Sequence, residues 1–470
     1  MSDDGVHVAM FPSAGMGHLT PFLRLAALFL NNHCKVTLIT PLPTVSLAES
    51  QLLDHFHSSF PQVNFIPFHL QPSSPDSAVD PFFHRVQTLR GSTHLLPPLI
   101  SSLSPPITVF ISDIFLLSPL ISITQQLSLP NYTLFTSSAS MFSFFSHFPT
   151  LSQSISDPSA EISEVPVPGI PFSPLPCSSI PPILFKPTIF RNLIMEDSPN
   201  LTKLQGVFLN TFEALESHSL QALNNGEVVK GMPPVYAVGP FVPLEFEKES
   251  QKETSSASPP LTKWLDEQPI GSVVYVCFGS RTALGREQMR EIGNGLMRSG
   301  SNFLWVVKDK IVDKEDKEVG LDEVLGVELV ERMKKKGLVV KEWVDQSEIL
   351  SHKSIGGFVS HCGWNSIMEA ALNGVPILAW PQHGDQRINA GLVEISKWGV
   401  WNKSWGWGGE LVVKGEEIGD AIKEMMKNAL LKVKAIELKD GGLKAISIGG
   451  DCEVTIQKLI RKWKNNVNNV

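Results

Sequence analysis

What this sequence does without narrows the field first. Cysteine is scarce and unpatterned: Cys34, Cys177, Cys277, Cys362 and Cys452 are odd in number, scattered, and never spaced CxxC. That usage excludes a disulfide scaffold and a thiolate metal site, and it fits a reducing compartment. No apolar run reaches the ~18 residues that span a bilayer; the best stretch, Ile107–Ile123, is broken by Asp113 and Pro119. The opening MSDDGVHVAMF has no basic segment ahead of its short apolar stretch, so it does not read as a signal peptide. Basic residues are in deficit, 39 Lys and Arg against 47 Asp and Glu, for a formal charge of −8 and a pI of about 5.9. A dedicated nucleic-acid binder carries the opposite balance. The one dense basic cluster, Lys458–Lys464, reads as a solvated helix face rather than a membrane anchor. Nor is there an Asp-x-Asp, an HExxH or a short internal repeat. The expectation is a cytoplasmic monomer with no membrane span.

What is present is an ordinary globular composition, 42 % apolar and 18 % charged, in 470 residues, enough for about two or three domains. Short apolar runs alternate with helical stretches twice over, the pattern of parallel sheets covered on both faces. In the first half the strands read as Val6–Phe11, Lys35–Thr40, Val63–His69, Thr108–Ser112, Asn131–Phe135, Gly206–Asn210 and Val235–Gly239, with a helix over Pro21–Leu30. Ser152–Pro182 reads as a long ordered loop. The polar stretch 243–262 is the best linker. Beyond it come strands at Ser272–Phe278, Phe303–Val307, Gly357–Ser360 and Pro376–Trp380, helices at Arg286–Arg298 and Asn365–Leu372, and a charged loop at Asp309–Asp322. The predicted organisation is a domain over 1–242, a second over 263–450, and a terminal helix within 451–470 that returns to the first. Both domains are α/β and doubly wound, and such sheets take ligands at the carboxyl ends of their strands.

The densest chemistry lies in WVDQSEILSHKSIGGFVSHCGWNSIMEAALNGVPILAWPQHGDQ, from Trp343 to Gln386. HCGWNS sits where a strand ends and a helix begins, so Asn365 and Ser366 fall in a first turn whose free N–H groups form an anion site. His361 adds a donor there, and Gly363 allows close backbone approach. Glu369, four residues past Asn365, can grip ribose hydroxyls, and Trp343 offers a base a stacking face. Asp385 and Gln386 suit sugar hydroxyls. Base, ribose, diphosphate and hexose together describe a nucleotide sugar. His361-Cys362 is no metal site, since adjacent residues chelate poorly. Gly15-Met-Gly17 is no dinucleotide fingerprint, since Thr20 stands where the third glycine belongs.

This segment resembles the donor signature of plant secondary-product UDP-dependent glycosyltransferases, and the likeness extends to the Gly-His loop near the start, the FGS turn at Phe278–Ser280 and Trp264–Asp266. The resemblance implies the GT-B fold, two Rossmann-like domains facing across a cleft, acceptor in the N-terminal half and UDP-sugar in the C-terminal half. It implies that Trp343 stacks on uracil, Val344 bonds it through the backbone, and Gln346 and Glu369 hold the ribose. His361, Asn365 and Ser366 would take the diphosphate, with Ser280 also on the donor. Trp364, Asp385 and Gln386 would take the sugar, the terminal Gln resembling users of UDP-glucose. The family carries Pro where Asp345 stands. No cofactor and no metal is implied, UDP-glucose being a co-substrate.

In the N-terminal half, His18 follows the first strand and Asp113 ends another, so both sit at carboxyl ends. A histidine oriented by a buried carboxylate is the arrangement of a general base, the role the family gives this pair. Asp113-Ile114-Phe115, with Gly15–Leu23, Asp80–Phe83, Phe278–Ala283 and Trp380–Arg387, resembles the flavonoid C-glucosyltransferase subgroup. Its members glucosylate phloroglucinol-type rings of 2-hydroxyflavanones, dihydrochalcones and related phenolics. The expected reaction is inverting β-C-glucosylation. O-glucosylation of the same aromatics is the alternative, and an inactive UDP-sugar-binding protein a third reading. Met16, Phe83 and Arg281 are candidate acceptor contacts. Phe142, Phe144, Phe145 and Phe148 read equally as pocket lining or as core.

Overall fold

The computed structural model describes residues 5–72, 80–155, 163–247, 261–279, 282–308, 319–342 and 344–467. The chain divides into two compact units, Met1–Glu247 with Lys444–Val470, and Lys248–Leu443. The divisions read from sequence were 242/263 and 450; the second division instead falls inside a continuous helix, Ala429–Ile446.

The first unit is built on β1 (His7–Phe11), β2 (Lys35–Leu42), β3 (Asn64–His69), β4 (Val109–Asp113), β5 (Asn131–Phe135), a two-stranded pair β6 (Glu164–Val165) and β7 (Leu175–Pro176), then β8 (Gly206–Leu209) and β9 (Val235–Ala237). Seven of these form one parallel sheet in the order β3-β2-β1-β4-β5-β8-β9. Side chains alternate faces along a strand, so β1 shows why both faces are covered. Val8 and Met10 enter one core with Phe22, Leu25 and Phe29, while Ala9 and Phe11 enter the other with Phe110, Leu116 and Leu120. The helix Asp451–Val467 lays Cys452, Ile456, Leu459, Ile460 and Trp463 into the first of these cores. The indole of Trp463 donates to Tyr132 at 3.1 Å.

The second unit repeats the plan with β10 (Val273–Cys277), β11 (Asn302–Val306), β12 (Gly337–Val340), β13 (Ile355–Ser360), β14 (Ile377–Ala379) and β15 (Gly399–Trp401). Its parallel order is β12-β11-β10-β13-β14-β15. In each sheet the strand order reverses at one place, β1/β4 and β10/β13. There the flanking loops leave in opposite directions and a crevice opens at the carboxyl ends.

Several local expectations need correction. The first helix begins at Met16, five residues before Pro21. Gly15, at φ +94°, turns the chain directly into the helix, so His18 stands in its first turn. Ser152–Ile155 ends the helix Ala139–Ile155 rather than opening a loop. β12 and β15 are edge strands whose short sequences, GLVV and GVW, gave no strand signal against their polar surroundings. Of the charged loop, residues 309–318 lie outside the described residues, and Leu321–Asp322 open the helix Leu321–Leu325.

Candidate active site

In the first unit, β1 and β4 are neighbours in register, Phe11 beside Ser112. The residues leaving their carboxyl ends therefore meet. His18 Nδ1 lies 2.7 Å from Asp113 Oδ2; the Asp113 side chain is fully buried and that of His18 is 18 % exposed. Asp113 Oδ1 accepts the N–H of Phe115 at 3.0 Å, which fixes the carboxylate plane. A carboxylate only accepts, so Nδ1 carries a proton, and in the neutral ring the lone pair is on Nε2. Thr136, just after β5, places Oγ1 3.2 Å from the same Nδ1.

Four phenylalanines stand around this pair. Phe82 and Phe115 lie 5.6 and 5.4 Å from the His18 ring, and Phe83 and Phe190 form an outer, half-buried pair 5.5 Å apart. Phe82 touches Phe83, and Phe115 touches Phe190, at 5.3 and 6.1 Å. The wall is apolar and aromatic, suited to a flat aromatic ligand. Of these four rings only Phe83 was anticipated as a contact. Phe82 and Phe115 lie inside the Asp80–Phe83 and Asp113–Phe115 stretches; Phe190 has no local signal. Met16 is half-buried, with part of its side chain packed on the core beneath the first helix. Phe142, Phe144, Phe145 and Phe148 are core, 0–1 % exposed, two of them packed on Phe135.

In the second unit the donor candidates gather at β10/β13. His361 follows β13, and its ring sits against two glycines: an added Cβ would come 2.6 Å from Nε2 at Gly279 and 2.5 Å at Gly363. Gly279 also needs its φ of +76°. Burial, with the nearby His383 as the smaller cause, holds the His361 imidazole down at about 3. It is therefore neutral at ordinary pH. The helix Trp364–Asn373 starts here, with Trp364 buried and Ser366 in the first turn. Asn365 Oδ1 is a buried acceptor with no hydrogen-bond partner, an orphan that a ligand donor would satisfy.

Gln346 Nε2 donates at 2.9 Å to both Ser366 Oγ and Glu369 Oε2, so these three form one polar cluster. Asp345, where the family carries Pro, caps the helix Gln346–Ser351 by accepting the Glu348 N–H at 2.9 Å. The cap holds the turn that presents Gln346. Val344 beside it is buried. Asp385 accepts from Asn389 at 2.8 Å, and Asn389 also donates to the Cys362 carbonyl at 3.1 Å, joining the sugar candidate to the diphosphate turn. Gln386 Oε1 accepts the N–H groups of Gln382 and His383, at 2.8 and 3.0 Å. That commitment fixes its amide orientation, with Nε2 3.4 Å from His383 Nδ1. Trp343, Ser280 and Arg281 lie outside the described residues. Among the described residues no group of three or more His, Cys, Asp or Glu converges as a metal site, and no helix is long and apolar enough to cross a membrane.

The chain is similar to known proteins along most of its length. Residues 254–440 match the family described as UDP-glucoronosyl and UDP-glucosyl transferase. UDP-glycosyltransferase 708D1 of Glycine max is 53 % identical over 99 % of this chain and 98 % of its own. A UDP-glycosyltransferase named CGT from Oryza sativa subsp. indica is 42 % identical over 97 % of this chain and 95 % of its own. Among solved structures, LpCGTa in complex with UDP is 40 % identical, with a TM-score of 0.85 over 98 % of this chain and 99 % of that one. Medicago truncatula UGT71G1 with UDP-glucose is 29 % identical, with a TM-score of 0.84 over 99 % and 100 %.

Proposed function

The chain belongs to the UDP-glycosyltransferase family, with the GT-B architecture of two Rossmann-like units, and from that premise we propose that it is an inverting C-glucosyltransferase. Its donor is UDP-glucose and its acceptor an electron-rich phenolic ring of the phloroglucinol type. The observation that carries this reading is the His18–Asp113 pair at 2.7 Å, backed by the phenylalanine wall. Relatives bearing the name CGT, and the Asp113-Ile114-Phe115 sequence itself, support carbon over oxygen as the nucleophile.

His18 Nε2 takes the phenol proton, and Asp113 stabilises the imidazolium that results. The phenolate shares its charge with the ortho carbon. That carbon attacks C1 of the α-linked glucose from the face opposite UDP; the C1–oxygen bond breaks, UDP leaves, and a β bond forms. Loss of the ring proton restores aromaticity, so the balance is one acceptor C–H exchanged for a C–glucose bond, with UDP and a proton released. On the donor side Gln346 and Glu369 hold the ribose, Asp385 and Gln386 the sugar. His361, Asn365, Ser366 and the helix N-terminus receive the diphosphate charge without a metal.

The test is the product from UDP-glucose and a phloroglucinol-type acceptor, heated in acid. A C-glucoside survives; an O-glucoside returns the aglycone and would establish the oxygen reaction instead. In the same assay His18→Ala loses on the order of 10²–10⁴ in rate while UDP affinity is retained. Wild-type rates in that variant would remove the base assignment.

A further inference from the structure

A buried charge cluster sits behind the phenylalanine wall, outside every residue assigned above. Arg90, near the end of the helix Pro81–Ser92, has a side chain only 10 % exposed. Its Nη1 donates to the Phe115 carbonyl at 2.5 Å and to Asp197 at 2.9 Å (Oδ2) and 3.1 Å (Oδ1). Its Nη2 lies 2.8 Å from Glu196 Oε1. Asp197, fully buried at the end of the helix Ile189–Asp197, also accepts the Ser118 N–H at 2.9 Å. The guanidinium thus ties together the helix that carries Phe82 and Phe83, the turn that carries Phe115, and the helix that carries Phe190.

Phe115 is held at both ends of its backbone. Its carbonyl accepts from Arg90, and its N–H donates to Asp113, whose other oxygen meets His18. Arg90 and His18 are therefore the two ends of one hydrogen-bonded chain. A buried ion pair is a poor way to gain stability, since apolar replacements are often as stable. What a fork of donors does well is hold several acceptors in a fixed plane.

We propose that Arg90 is a positioning residue for glucosyl transfer: through the Phe115 carbonyl it holds the turn that aims Asp113 at His18, and through Asp197 it sets the spacing of the phenylalanine wall. This rests on His18 being the base. Lysine at this position keeps the charge and can pair with Asp197. As an ammonium on a different stem, it does not reproduce the planar Nη1 donor shared between the Phe115 carbonyl and Asp197.

The experiment compares full-length wild type, Arg90→Lys, Asp197→Asn and His18→Ala for kcat, KM of each substrate, UDP affinity by calorimetry, melting temperature and acid lability of the product. Arg90→Lys is expected to lose about 10- to 100-fold in kcat, the scale of a small misplacement at a reacting centre. Its acceptor KM should rise several-fold and the acid-labile share of product should grow, while UDP affinity stays within twofold. A change of bond partition with intact UDP binding is something a merely structural role would not produce. Arg90→Lys that matches wild type in kcat, acceptor KM and product overturns the proposal, as does a loss shared equally by UDP affinity. If Arg90→Lys does not fold, the near-isosteric Asp197→Asn is read by the same criteria. Wild-type rates in His18→Ala would fail the underlying base assignment; an inactive His18→Ala beside an unimpaired Arg90→Lys would fail only this proposal.

Discussion

Single side chains stand at both sheet reversals, and two half-buried histidines there have different surroundings. His18 is 18 % exposed and gives its Nδ1 to Asp113. His361 is half-buried with its Nδ1 out of solvent, and desolvation, with the neighbouring His383 as the smaller cause, depresses it from 6.5 to about 3. The consequence for stability has a definite sign. As pH falls below 6.5 the unfolded chain takes up a proton at this residue that the folded chain refuses. Stability is then lost by up to about tenfold in the folding constant per pH unit until the folded value is approached. His361→Asn is expected to narrow the fall in urea midpoint between pH 6.5 and pH 4 relative to wild type. An identical fall in both proteins would show that His361 does not resist protonation.

Elements rather than isolated residues make up the proposed anion site. The helix Trp364–Asn373 offers the N–H groups of its first turn and the positive end of its dipole. If these neutralise the leaving diphosphate, a bridging cation is unnecessary. The initial rate with UDP-glucose is therefore expected to stay within about twofold when millimolar EDTA is added; complete inhibition reversed by magnesium or manganese would contradict it. The turn before the helix Gln346–Ser351 illustrates how elements tolerate substitution. Aspartate replaces the family's proline, yet a carboxylate cap on the Glu348 N–H holds the helix start, and Gln346 still reaches Ser366 and Glu369.

At the scale of the molecule, the last helix belongs to the first unit although it follows the second in sequence. Trp463 is 1 % exposed, between Phe29, Tyr132 and Phe208, with its N–H satisfied by Tyr132. Trp463→Ala should cost about 3–5 kcal/mol, a large part of the stability of an ordinary domain. Thermal unfolding should show the loss in a transition of the first unit while UDP still protects the second. A shift of less than a degree or two would mean the helix is not integral to that core.

The sequence by itself determined the fold class and most of the residues proposed for the donor, because both are written locally. Buried parallel strands must be continuous apolar runs, and a diphosphate turn needs its glycine, its polar first-turn residues and its carboxylate at fixed short offsets. His18 and Asp113 were legible too, since each lies at a strand end that the doubly wound plan brings to one edge. Tertiary structure alone decided what lies far apart in the chain. Phe190 joins the wall around His18, Gln346 bonds Ser366 and Glu369 across a strand, Asn389 ties Asp385 to Cys362, and Arg90 reaches Asp197 over 107 positions. None of these contacts leaves a periodicity or a spacing behind. They exist because packed helices set particular side chains side by side, and only the folded chain fixes which ones.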